Sequence, residues 1–314
     1  MRMTVFVDGH AGTTGLRIYE RLALRDDLEI IAVNPEKRKD PEARKECINK
    51  ADVVFLCLPD EAARESAALA TNPATKIIDA STAHRTHPDW TYGIPELSRA
   101  HREKIITAKR VAVPGCHATG FNVIVYPLIH QGILHREYPF TCHSLTGYSG
   151  GGKKLIAAYE ETEPAEALRG PRPYALMLSH KHLPEMQAIS GLVHPPLFMP
   201  VVANVHSGMV VSVPLLPRLL KTEVTPKEIH DALAFWYEGE RFISVMPFKE
   251  DSALDGGFLN ATDCNGTNRL EIFVFGHAEQ ILVCARLDNL GKGASGAAIQ
   301  NMNIMLGIDE GTGL

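Results

Sequence analysis

The stretch DGHAGTTG at residues 8–15 stands between a short apolar run and an amphipathic pattern, and it decides the fold of the N-terminal third. The run before it, TVFVD at 4–8, predicts a β-strand, and residues 13–25 predict an α-helix. Glycines in a strand–turn–helix unit let the backbone approach a phosphate, and the N–H groups at the helix start favour its negative charge. The same turn could simply join a strand to a helix. We predict a dinucleotide site formed by Gly9, His10, Ala11, Gly12, Thr13, Thr14 and Gly15.

The alternation of strand and helix patterns continues to about residue 113. Further strand patterns lie at 28–33 (LEIIAV), 53–58 (VVFLCL), 76–80 (KIIDA) and 110–113 (RVAV), with a helix pattern over the 60s. Short apolar strands that alternate with helices predict a parallel sheet with helices on both faces. The fold class predicted for this part is α/β, a Rossmann-like doubly wound parallel sheet.

Beyond about residue 135 the strand patterns become longer, which indicates a second domain. The segment 118–131 has the length of a helix, and the small-residue tail at 293–307 predicts a helix that packs on the first domain or between domains. The remaining patterns predict an α+β domain with a largely antiparallel sheet, with strands at 140–148, 201–216, 270–277 and 280–287 and a helix at 226–237. We set the nucleotide-binding domain at 1–116 and 292–314, and the catalytic and subunit-contact domain at 117–291.

Composition and charge exclude several classes of function. The 314 residues carry a net charge of −5 with an isoelectric point near 6.3, and the cations are scattered, so we expect no nucleic-acid partner. No apolar run approaches the roughly 20 residues that span a bilayer, and no leader pattern is visible, so we expect no membrane and a cytoplasmic location. The six cysteines form no CxxC pair, which is typical of reduced thiols rather than disulfides or structural zinc. The expected partner is a small-molecule substrate.

The residues after the second predicted strand bear on which dinucleotide binds. An acidic residue there commonly binds the ribose hydroxyls of NAD, but this chain has Asn34, 19 positions after Gly15. Lys37 and Arg38 follow shortly and could bind a 2′-phosphate, so we predict NADP (NADPH) as the cofactor. The alternative is a solvated basic loop without a binding role.

A cysteine stands at the last strand-to-helix turn of the first domain, VPGCHATG at 113–120. A helix N-terminus favours the thiolate over the thiol, and glycines flank Cys116, so we predict that it is the nucleophile. The alternative role, a small buried hydrophobic residue, suits Cys57 and Cys284 inside apolar strands better. A thiolate close to a dinucleotide site predicts an acyl group carried on sulfur that accepts a hydride.

The motif SHKHLPE at 179–185 supplies candidate acid–base residues. We predict that His182 is the general acid–base group, with His180 beside it and Glu185 three residues on, able to orient the ring if the segment is helical. Two histidines at this spacing could also bind a metal. No cysteine or acidic residue stands at a familiar zinc spacing from them, so we expect no metal.

Two further stretches hold candidate anion-binding residues. STAHR at 81–85 follows the fourth strand pattern, at the edge where parallel sheets bind ligands, so we assign Ser81 to the cofactor site and Arg85 to a substrate carboxylate. In GYSGGGK at 147–153, backbone N–H groups suit a phosphate, and the residues assigned to the substrate are Ser149, Gly150 and Lys153. Either of these two stretches could instead be an ordinary loop with a solvated cation.

Five motifs together resemble those of the N-acetyl-γ-glutamyl-phosphate reductases of arginine biosynthesis. They are GHAGTTG, DASTAHR, VPGCHATG, SHKHLPE and GKGASGAAIQNMN, in the same order through nearly the whole chain. More narrowly, the chain is similar to the short, second type of that family, which is related to aspartate-semialdehyde dehydrogenase. The resemblance implies a nucleotide domain completed by the C-terminal helix, a catalytic domain that forms subunit contacts, and a homodimer or homotetramer.

The resemblance also implies the reaction. Cys116 attacks the acyl phosphate of N-acetyl-L-glutamyl 5-phosphate, phosphate leaves, and NADPH reduces the thioester. His182 protonates the collapsing hemithioacetal to release N-acetyl-L-glutamate 5-semialdehyde, while Arg85 holds a substrate carboxylate or phosphate. The longer type commonly has SGAGR where this chain has SGGGK, so Lys153 keeps the charge but lacks the planar guanidinium. The alternatives are aspartyl phosphate or an aminoadipate derivative as substrate, a non-catalytic NADP-binding sensor, and a cysteine hydrolase.

Overall fold

The computed structural model describes residues 2–37, 40–220, 223–248 and 254–314, and the chain divides into two units. The first unit comprises Met1–Pro114 and Ala294–Leu314, and the second is Gly115–Gly293. The predicted domain boundaries, after residue 116 and before residue 292, differ from this division by two residues at each junction. Cys116 therefore lies in the second unit, whereas we predicted it at the end of the nucleotide-binding domain.

The first unit contains a parallel sheet with helices on both faces. Its strands are β1 (Met3–Asp8), β2 (Leu28–Ile31), β3 (Val53–Leu56), β4 (Lys76–Asp79), β5 (Thr91–Tyr92) and β6 (Arg110–Ala112). Its helices are α1 (Thr13–Ala23), α2 (Pro41–Lys50), α3 (Asp60–Leu69), α4 (Arg99–Thr107) and α9 (Gly296–Leu306). The strand order is β2-β1-β3-β4-β6-β5, with every pairing parallel. This confirms the predicted Rossmann-like fold class.

The alternation of side chains along β1 explains why both faces are covered. Val5 packs on one face with Ile18 of α1 and Met302 of α9. Phe6 points to the opposite face and packs with Ile48 of α2. Because successive strand residues point to opposite faces, a strand that is buried on both sides is continuously apolar. The tail helix, predicted to pack on the first domain or between domains, completes one of these two cores in the first unit.

The second unit contains a seven-stranded mixed sheet. Its strands are β7 (Thr141–Gly147), β8 (Arg172–Pro173), β9 (Leu197–Ala203), β10 (Met209–Leu215), β11 (Ile243–Val245), β12 (Leu270–His277) and β13 (Gln280–Leu287). Its helices are α5 (Cys116–His130), α6 (Gly152–Tyr159), α7 (Leu183–Ser190) and α8 (Pro226–Trp236). The order is β11-β12-β13-β10-β7-β9-β8, and four of the six pairings are antiparallel. The prediction of a largely antiparallel sheet is confirmed.

One predicted strand was wrong, because the apolar run at 201–216 forms parts of two strands. The chain leaves β9 after Ala203 and re-enters the sheet as β10 at Met209. Gly208 between them has φ +117°, and a Cβ there would lie 2.5 Å from the carbonyl oxygen of Ala261. A left-handed glycine in such close contact ends one strand before the next begins.

Helix α5 is buried on nearly all sides, as its largely apolar sequence requires. A Cβ on Gly120 would lie 2.5 Å from Cγ2 of Val211, so this glycine lets the helix approach β10 closely. The approach fixes the first turn of α5, which begins at Cys116, against the sheet. Among the described helices, none combines the length and the apolar character needed to cross a bilayer.

Candidate active site

Cys116 is the first residue of α5, and Gly115 before it provides no side-chain cap for the helix. The backbone N–H groups of a first helical turn have no partner within the helix, and their partial positive charge favours a thiolate. Gly293 packs directly on this residue, since a Cβ at Gly293 would lie 2.7 Å from Cβ of Cys116. Burial raises the thiol pKa of the other five cysteines, to about 11 for Cys284 and about 12 for Cys264. Those five thiols are protonated at neutral pH and are poor nucleophiles.

Two histidines lie beside Cys116. Its Sγ and one ring nitrogen each of His117 and His182 lie within 4.8 Å of one another. His182 is 4% exposed and immediately precedes α7. Its backbone N–H donates to Nδ1 of His180 at 3.1 Å, and the two rings meet edge to face with centroids 4.7 Å apart. The fold therefore brings the predicted acid–base histidine to the predicted nucleophile, although 65 residues separate them in the chain.

The ring of His117 is held at both nitrogens, a feature that our reading of the sequence missed. Nδ1 lies 2.7 Å from Oγ of Ser144 on β7, and Nε2 lies 2.8 Å from the hydroxyl of Tyr174, just after β8. His117 is 3% exposed, and burial, with lesser effects of His180 and Lys181, lowers its pKa to about 3. The imidazole is therefore neutral at physiological pH. Its place next to Cys116 in the sequence was the only available signal.

Glu185 reaches the turn that carries the cysteine. The residue is 1% exposed in the first turn of α7, and its Oε2 accepts a hydrogen bond from the backbone N–H of Gly115 at 3.0 Å. We predicted that Glu185 orients a histidine through a helical turn. The contact with Gly115 adds a second role, at the backbone just before Cys116, and the orientation of a histidine by Glu185 stays a prediction.

The glycine-rich loop after β7 is held in place by residues outside the GYSGGGK motif. Oγ of Ser149 lies 3.2 Å from Oγ of Ser207 and accepts a hydrogen bond from Nδ2 of Asn289 at 3.0 Å. Oδ1 of Asn289 accepts from the backbone N–H of Gly208 at 2.9 Å. Gly150 and Lys153 are exposed, and Lys153 stands in the first turn of α6. Asn289 thus ties the predicted phosphate loop to the turn before β10.

In the first unit, the glycine turn follows β1 at the point where the strand order reverses between β1 and β3. Gly9 has φ +89°, and a Cβ there would lie 2.3 Å from the carbonyl oxygen of Cys57, while a Cβ on Gly15 would lie 2.4 Å from that of Gly9. Gly12 has no such constraint, since its Cβ would make only ordinary contacts. Ligands of doubly wound sheets bind in the crevice at such a reversal. Two of the three glycines are therefore required by backbone packing alone.

The same turn keeps polar groups available for a ligand. No side chain among the described residues caps α1 at Gly12, and Oγ1 of Thr13 is buried with no hydrogen-bond partner in that part of the chain. A buried hydroxyl without a partner is costly, and a phosphate at a helix N-terminus would satisfy it. His10 and Ala11 are exposed at the turn, and Thr14 is half-buried. These residues fit the phosphates of a dinucleotide.

Two of the remaining predicted cofactor residues, Asn34 and Ser81, have hydrogen-bond partners. Oδ1 of Asn34 accepts from the backbone N–H of Glu36 at 3.0 Å, which shapes the turn that leads to the exposed Lys37. Arg38 lies outside the described residues. Ser81 donates through Oγ to the carboxylate of Asp79 at 2.7 Å.

Arg85 also belongs to the first unit. Its Nε donates to the carbonyl oxygen of Val113 at 2.9 Å, and the residue is 9% exposed. The arginine is therefore held to the backbone that follows β6, at the carboxyl edge of the parallel sheet where we predicted it.

The expectation of no metal rested on spacing within SHKHLPE, and that argument was incomplete. Folding adds Cys116 to the set, so a thiolate and two imidazoles converge from distant parts of the chain. Such a set could hold a soft divalent ion such as zinc. The expectation that no metal binds stays a prediction.

Comparison with known proteins places this geometry in a family. A model of the semialdehyde dehydrogenase dimerisation domain matches residues 116–289, and a model of the semialdehyde dehydrogenase NAD-binding domain matches residues 32–105. N-acetyl-γ-glutamyl-phosphate reductase 2 of Nostoc sp. is 50% identical over 317 residues, which cover 99% of this chain and 98% of the relative. The chain belongs to the N-acetyl-γ-glutamyl-phosphate reductase family. It is therefore an oxidoreductase with a nicotinamide cofactor.

Other relatives and solved structures agree with this assignment. The N-acetyl-γ-glutamyl-phosphate reductase of Burkholderia lata is 45% identical over 97% of this chain and 96% of its own length. The crystal structure of aspartate semialdehyde dehydrogenase II of Vibrio cholerae matches with a TM-score of 0.71 over 98% of both chains, at 16% identity. At that identity the match shows the fold alone. This chain thus has the reductase family's sequence on the semialdehyde dehydrogenase fold.

Proposed function

We propose that this chain catalyses the NADPH-dependent reduction of N-acetyl-L-glutamyl 5-phosphate to N-acetyl-L-glutamate 5-semialdehyde and phosphate. The observation that carries the chemistry is the convergence of Cys116 and His182 at the start of α5. The choice of substrate rests on relatives of that name at 44–50% identity over nearly the full length. In this proposal the chain belongs to arginine biosynthesis in the cytoplasm.

Cys116 is the nucleophile in this reaction. Its sulfur forms a bond to the acyl carbon while the bond from that carbon to the phosphate oxygen breaks, and phosphate leaves. His182 takes the thiol proton as the sulfur attacks, because its ring nitrogen lies within 4.8 Å of Sγ and both ring nitrogens of His117 are held by Ser144 and Tyr174. Backbone N–H groups in the first turn of α5 stabilise the oxyanion.

The cofactor supplies a hydride to the acyl carbon when it is bound. His182 then returns its proton to the sulfur as the hemithioacetal collapses, the carbon–sulfur bond breaks, and the aldehyde is released. His180, whose Nδ1 accepts from the backbone of His182, holds that residue in position. Glu185 fixes the backbone of Gly115 and hence the direction of the Cys116 side chain.

We assign the phosphates of the cofactor to the 9–15 turn, where the buried hydroxyl of Thr13 supports the assignment. NADP rather than NAD follows from Asn34, which supplies no carboxylate to the ribose, and from the exposed Lys37 nearby. We assign Arg85 to a substrate carboxylate, and Ser149, Gly150 and Lys153 to the substrate phosphate. A Lys37→Ala variant that binds NADPH and NADH with unchanged preference would argue against the cation's part in this assignment.

We infer further that two or four copies associate through the sheet of the second unit. Leu197, Met199 and Leu282 are large apolar side chains that stay more than a third exposed on β9 and β13. The registers of β9, β7, β10 and β13 place these side chains on the same face of the sheet. Large exposed apolar side chains on one face of a sheet mark an interaction surface, and a second copy suits the family's dimerisation domain. Met199→Lys is expected to lower the mass measured by light scattering.

The reverse reaction tests the proposal most directly. N-acetyl-L-glutamate 5-semialdehyde, NADP and phosphate are supplied, and NADPH is followed by absorbance, with aspartate semialdehyde as the comparison substrate. Phosphate-dependent turnover of the N-acetylated aldehyde alone supports the proposal. Turnover of aspartate semialdehyde would keep the chemistry and change the substrate. No turnover of either aldehyde, together with tight NADPH binding, would favour a non-catalytic NADP-binding sensor.

Two cysteine variants separate the nucleophile from general thiol effects. Cys116→Ala is expected to abolish turnover while NADPH binding persists. Cys47→Ser is the matched control, because that half-buried thiol lies on α2 and has no part in the proposed chemistry. Activity of the Cys116→Ala protein within tenfold of the parent would overturn the assignment.

A further inference from the structure

Three side chains of the second unit form a line of hydrogen bonds beside Cys116. Ser144 on β7 is fully buried, and its Oγ contacts Nδ1 of His117. Nε2 of His117 contacts the hydroxyl of Tyr174. Tyr174 is anchored by its own backbone N–H, which donates to the carbonyl oxygen of Pro200 on β9 at 3.1 Å. The donor and the acceptor of each hydrogen bond follow from the number of protons that each group carries.

The proton of Ser144 sets the direction of these hydrogen bonds. Among the described residues, Nδ1 of His117 is the one hydrogen-bond partner of its Oγ. A buried hydroxyl that accepts only would leave its proton without an acceptor, whereas a spare lone pair is tolerated more easily. Ser144 therefore donates, and Nδ1 of His117 accepts.

The hydrogen bond from Ser144 determines which ring nitrogen of His117 carries the proton. A neutral imidazole carries one ring proton, and a ring whose Nδ1 accepts a hydrogen bond is neutral, because the imidazolium has a proton on both nitrogens. Since Nδ1 accepts from Ser144, the ring proton is on Nε2. The Nε2–H group therefore donates to the oxygen of Tyr174.

Tyr174 is then left with a hydroxyl proton that is not used by His117. Burial, and after it the charge of Cys116, raise the pKa of this phenol, so it is protonated. His117 is the hydrogen-bond partner of the hydroxyl among the residues that the structure describes. The hydroxyl lies 2.8 Å from Nε2 of His117, and one ring nitrogen of His117 lies within 4.8 Å of Sγ of Cys116. Tyr174 therefore belongs to the surroundings of the reacting sulfur.

We propose that Ser144 and His117 orient Tyr174 so that its hydroxyl donates a hydrogen bond to the substrate oxygen that becomes negative when Cys116 attacks. His117 is thus a positioning residue, and Tyr174 is a catalytic residue that supplements the backbone N–H groups of α5. This inference rests on the proposed function for the identity of the acyl substrate. The direction of the hydrogen bonds is independent of the substrate.

The first test reads that direction without any turnover. In protein labelled with ¹⁵N-histidine, long-range ¹H–¹⁵N spectra report which ring nitrogen carries the proton, and a His117→Gln variant identifies the signal. We expect the Nε2–H form in the wild type and a mixture of forms in Ser144→Ala. A wild-type ring protonated at Nδ1, or at both nitrogens near pH 7, would overturn the proposal.

The second test uses the reverse reaction and separates positioning from structure. Tyr174→Phe is expected to lower kcat by about 100-fold, the usual effect of losing one oxyanion donor, and to change KM less than about threefold. The control is Tyr159→Phe, because the buried hydroxyl of Tyr159 has no hydrogen-bond partner in the described part of the chain. That variant should keep full activity.

A double variant completes the test. His117→Leu should lower kcat, and the Tyr174→Phe/His117→Leu protein should be no slower than Tyr174→Phe alone, because both changes remove the same hydrogen bond. Additive losses, or a changed rate of Cys116 alkylation with normal kcat, would contradict the proposal. Wild-type protein that turns over no acyl substrate would refute the proposed function instead, and the nitrogen spectra would still decide the hydrogen-bond direction.

Discussion

The carboxylate of Glu185 accepts a hydrogen bond from the backbone N–H of Gly115 at 3.0 Å. Glu185 belongs to the first turn of α7, and Gly115 is the residue immediately before Cys116. The motif that supplies the histidines therefore also fixes the turn that supplies the nucleophile. Both functions depend on one short helix.

Glu185→Ala should remove that support and leave a buried backbone N–H without an acceptor. Hydrogen bonds to charged groups contribute about 1.5–3 kcal/mol, so we expect a loss of unfolding free energy in this range together with a lower kcat. Glu185→Gln keeps an acceptor oxygen and should lose less of both. Urea unfolding and reverse-direction kinetics measure the two effects. Equal losses in the two variants would show that the hydrogen bond to Gly115 is not the cause.

Asn289→Ala should weaken phosphate binding specifically. The side-chain amide joins Ser149 to Gly208, and its loss frees the loop that we assign to the phosphate. One lost hydrogen bond corresponds to about a tenfold rise in the KM for phosphate in the reverse direction. The KM for the aldehyde is the internal control and should stay the same. A parallel rise in both constants would assign Asn289 to general stability.

Sequence patterns predicted the parallel sheet, the two-unit plan and the Cys116–His182 pair, because each rests on local periodicity or on a turn with a chemical requirement. The contacts of Ser144, Tyr174 and Asn289 could not be read in the same way. Each joins elements far apart in the chain, and single polar residues in strands or loops carry no spacing signal. Glu185 shows the limit well, since its position in a helical turn was anticipated, but its partner lies 70 residues away.

Gly15→Ala should destabilise the first unit much more than Gly12→Ala. A Cβ on Gly15 would lie 2.4 Å from a backbone oxygen, whereas the Cβ on Gly12 would lie no closer than 3.5 Å to any neighbour. Forced overpacking costs about 1–3 kcal/mol, and alanine at a helix N-cap costs less than about 1 kcal/mol relative to glycine. Thermal unfolding without cofactor measures both. A Gly12→Ala protein as unstable as Gly15→Ala would contradict the packing argument.

Gly293→Ala should displace the nucleophile. The new methyl group would lie 2.7 Å from Cβ of Cys116, so the cysteine must move, and such misplacement lowers kcat by about 10- to 100-fold. The rate of Cys116 alkylation by iodoacetamide should change as well. Gly170→Ala is the matched control, because nothing lies within 4 Å of its Cβ. An unchanged kcat in Gly293→Ala would show that the contact relaxes without moving the sulfur.

The stability of the second unit should fall as the pH is lowered, with a contribution from His117. Its pKa is about 3 in the folded chain and 6.5 in an unperturbed histidine, so between these values the unfolded chain binds the proton preferentially. The contribution is fully present above about pH 6.5 and is lost toward pH 3, with a slope of at most about 1.4 kcal/mol per pH unit. Urea unfolding from pH 7 to pH 5 should show a shallower slope for His117→Gln. Identical slopes would contradict a neutral buried ring.

The first unit is made of two chain segments, and its helix α9 is translated only after the whole second unit. Its residue Met302 packs with Val5 and Ile18 in one core, yet residues 115–293 are translated between β6 and the C-terminal segment. Domains generally fold as they emerge from the ribosome, the N-terminal one first. Here the contiguous second unit can complete its core while the first still lacks a helix. A nascent chain that stops before residue 294 therefore leaves part of one face of its parallel sheet uncovered.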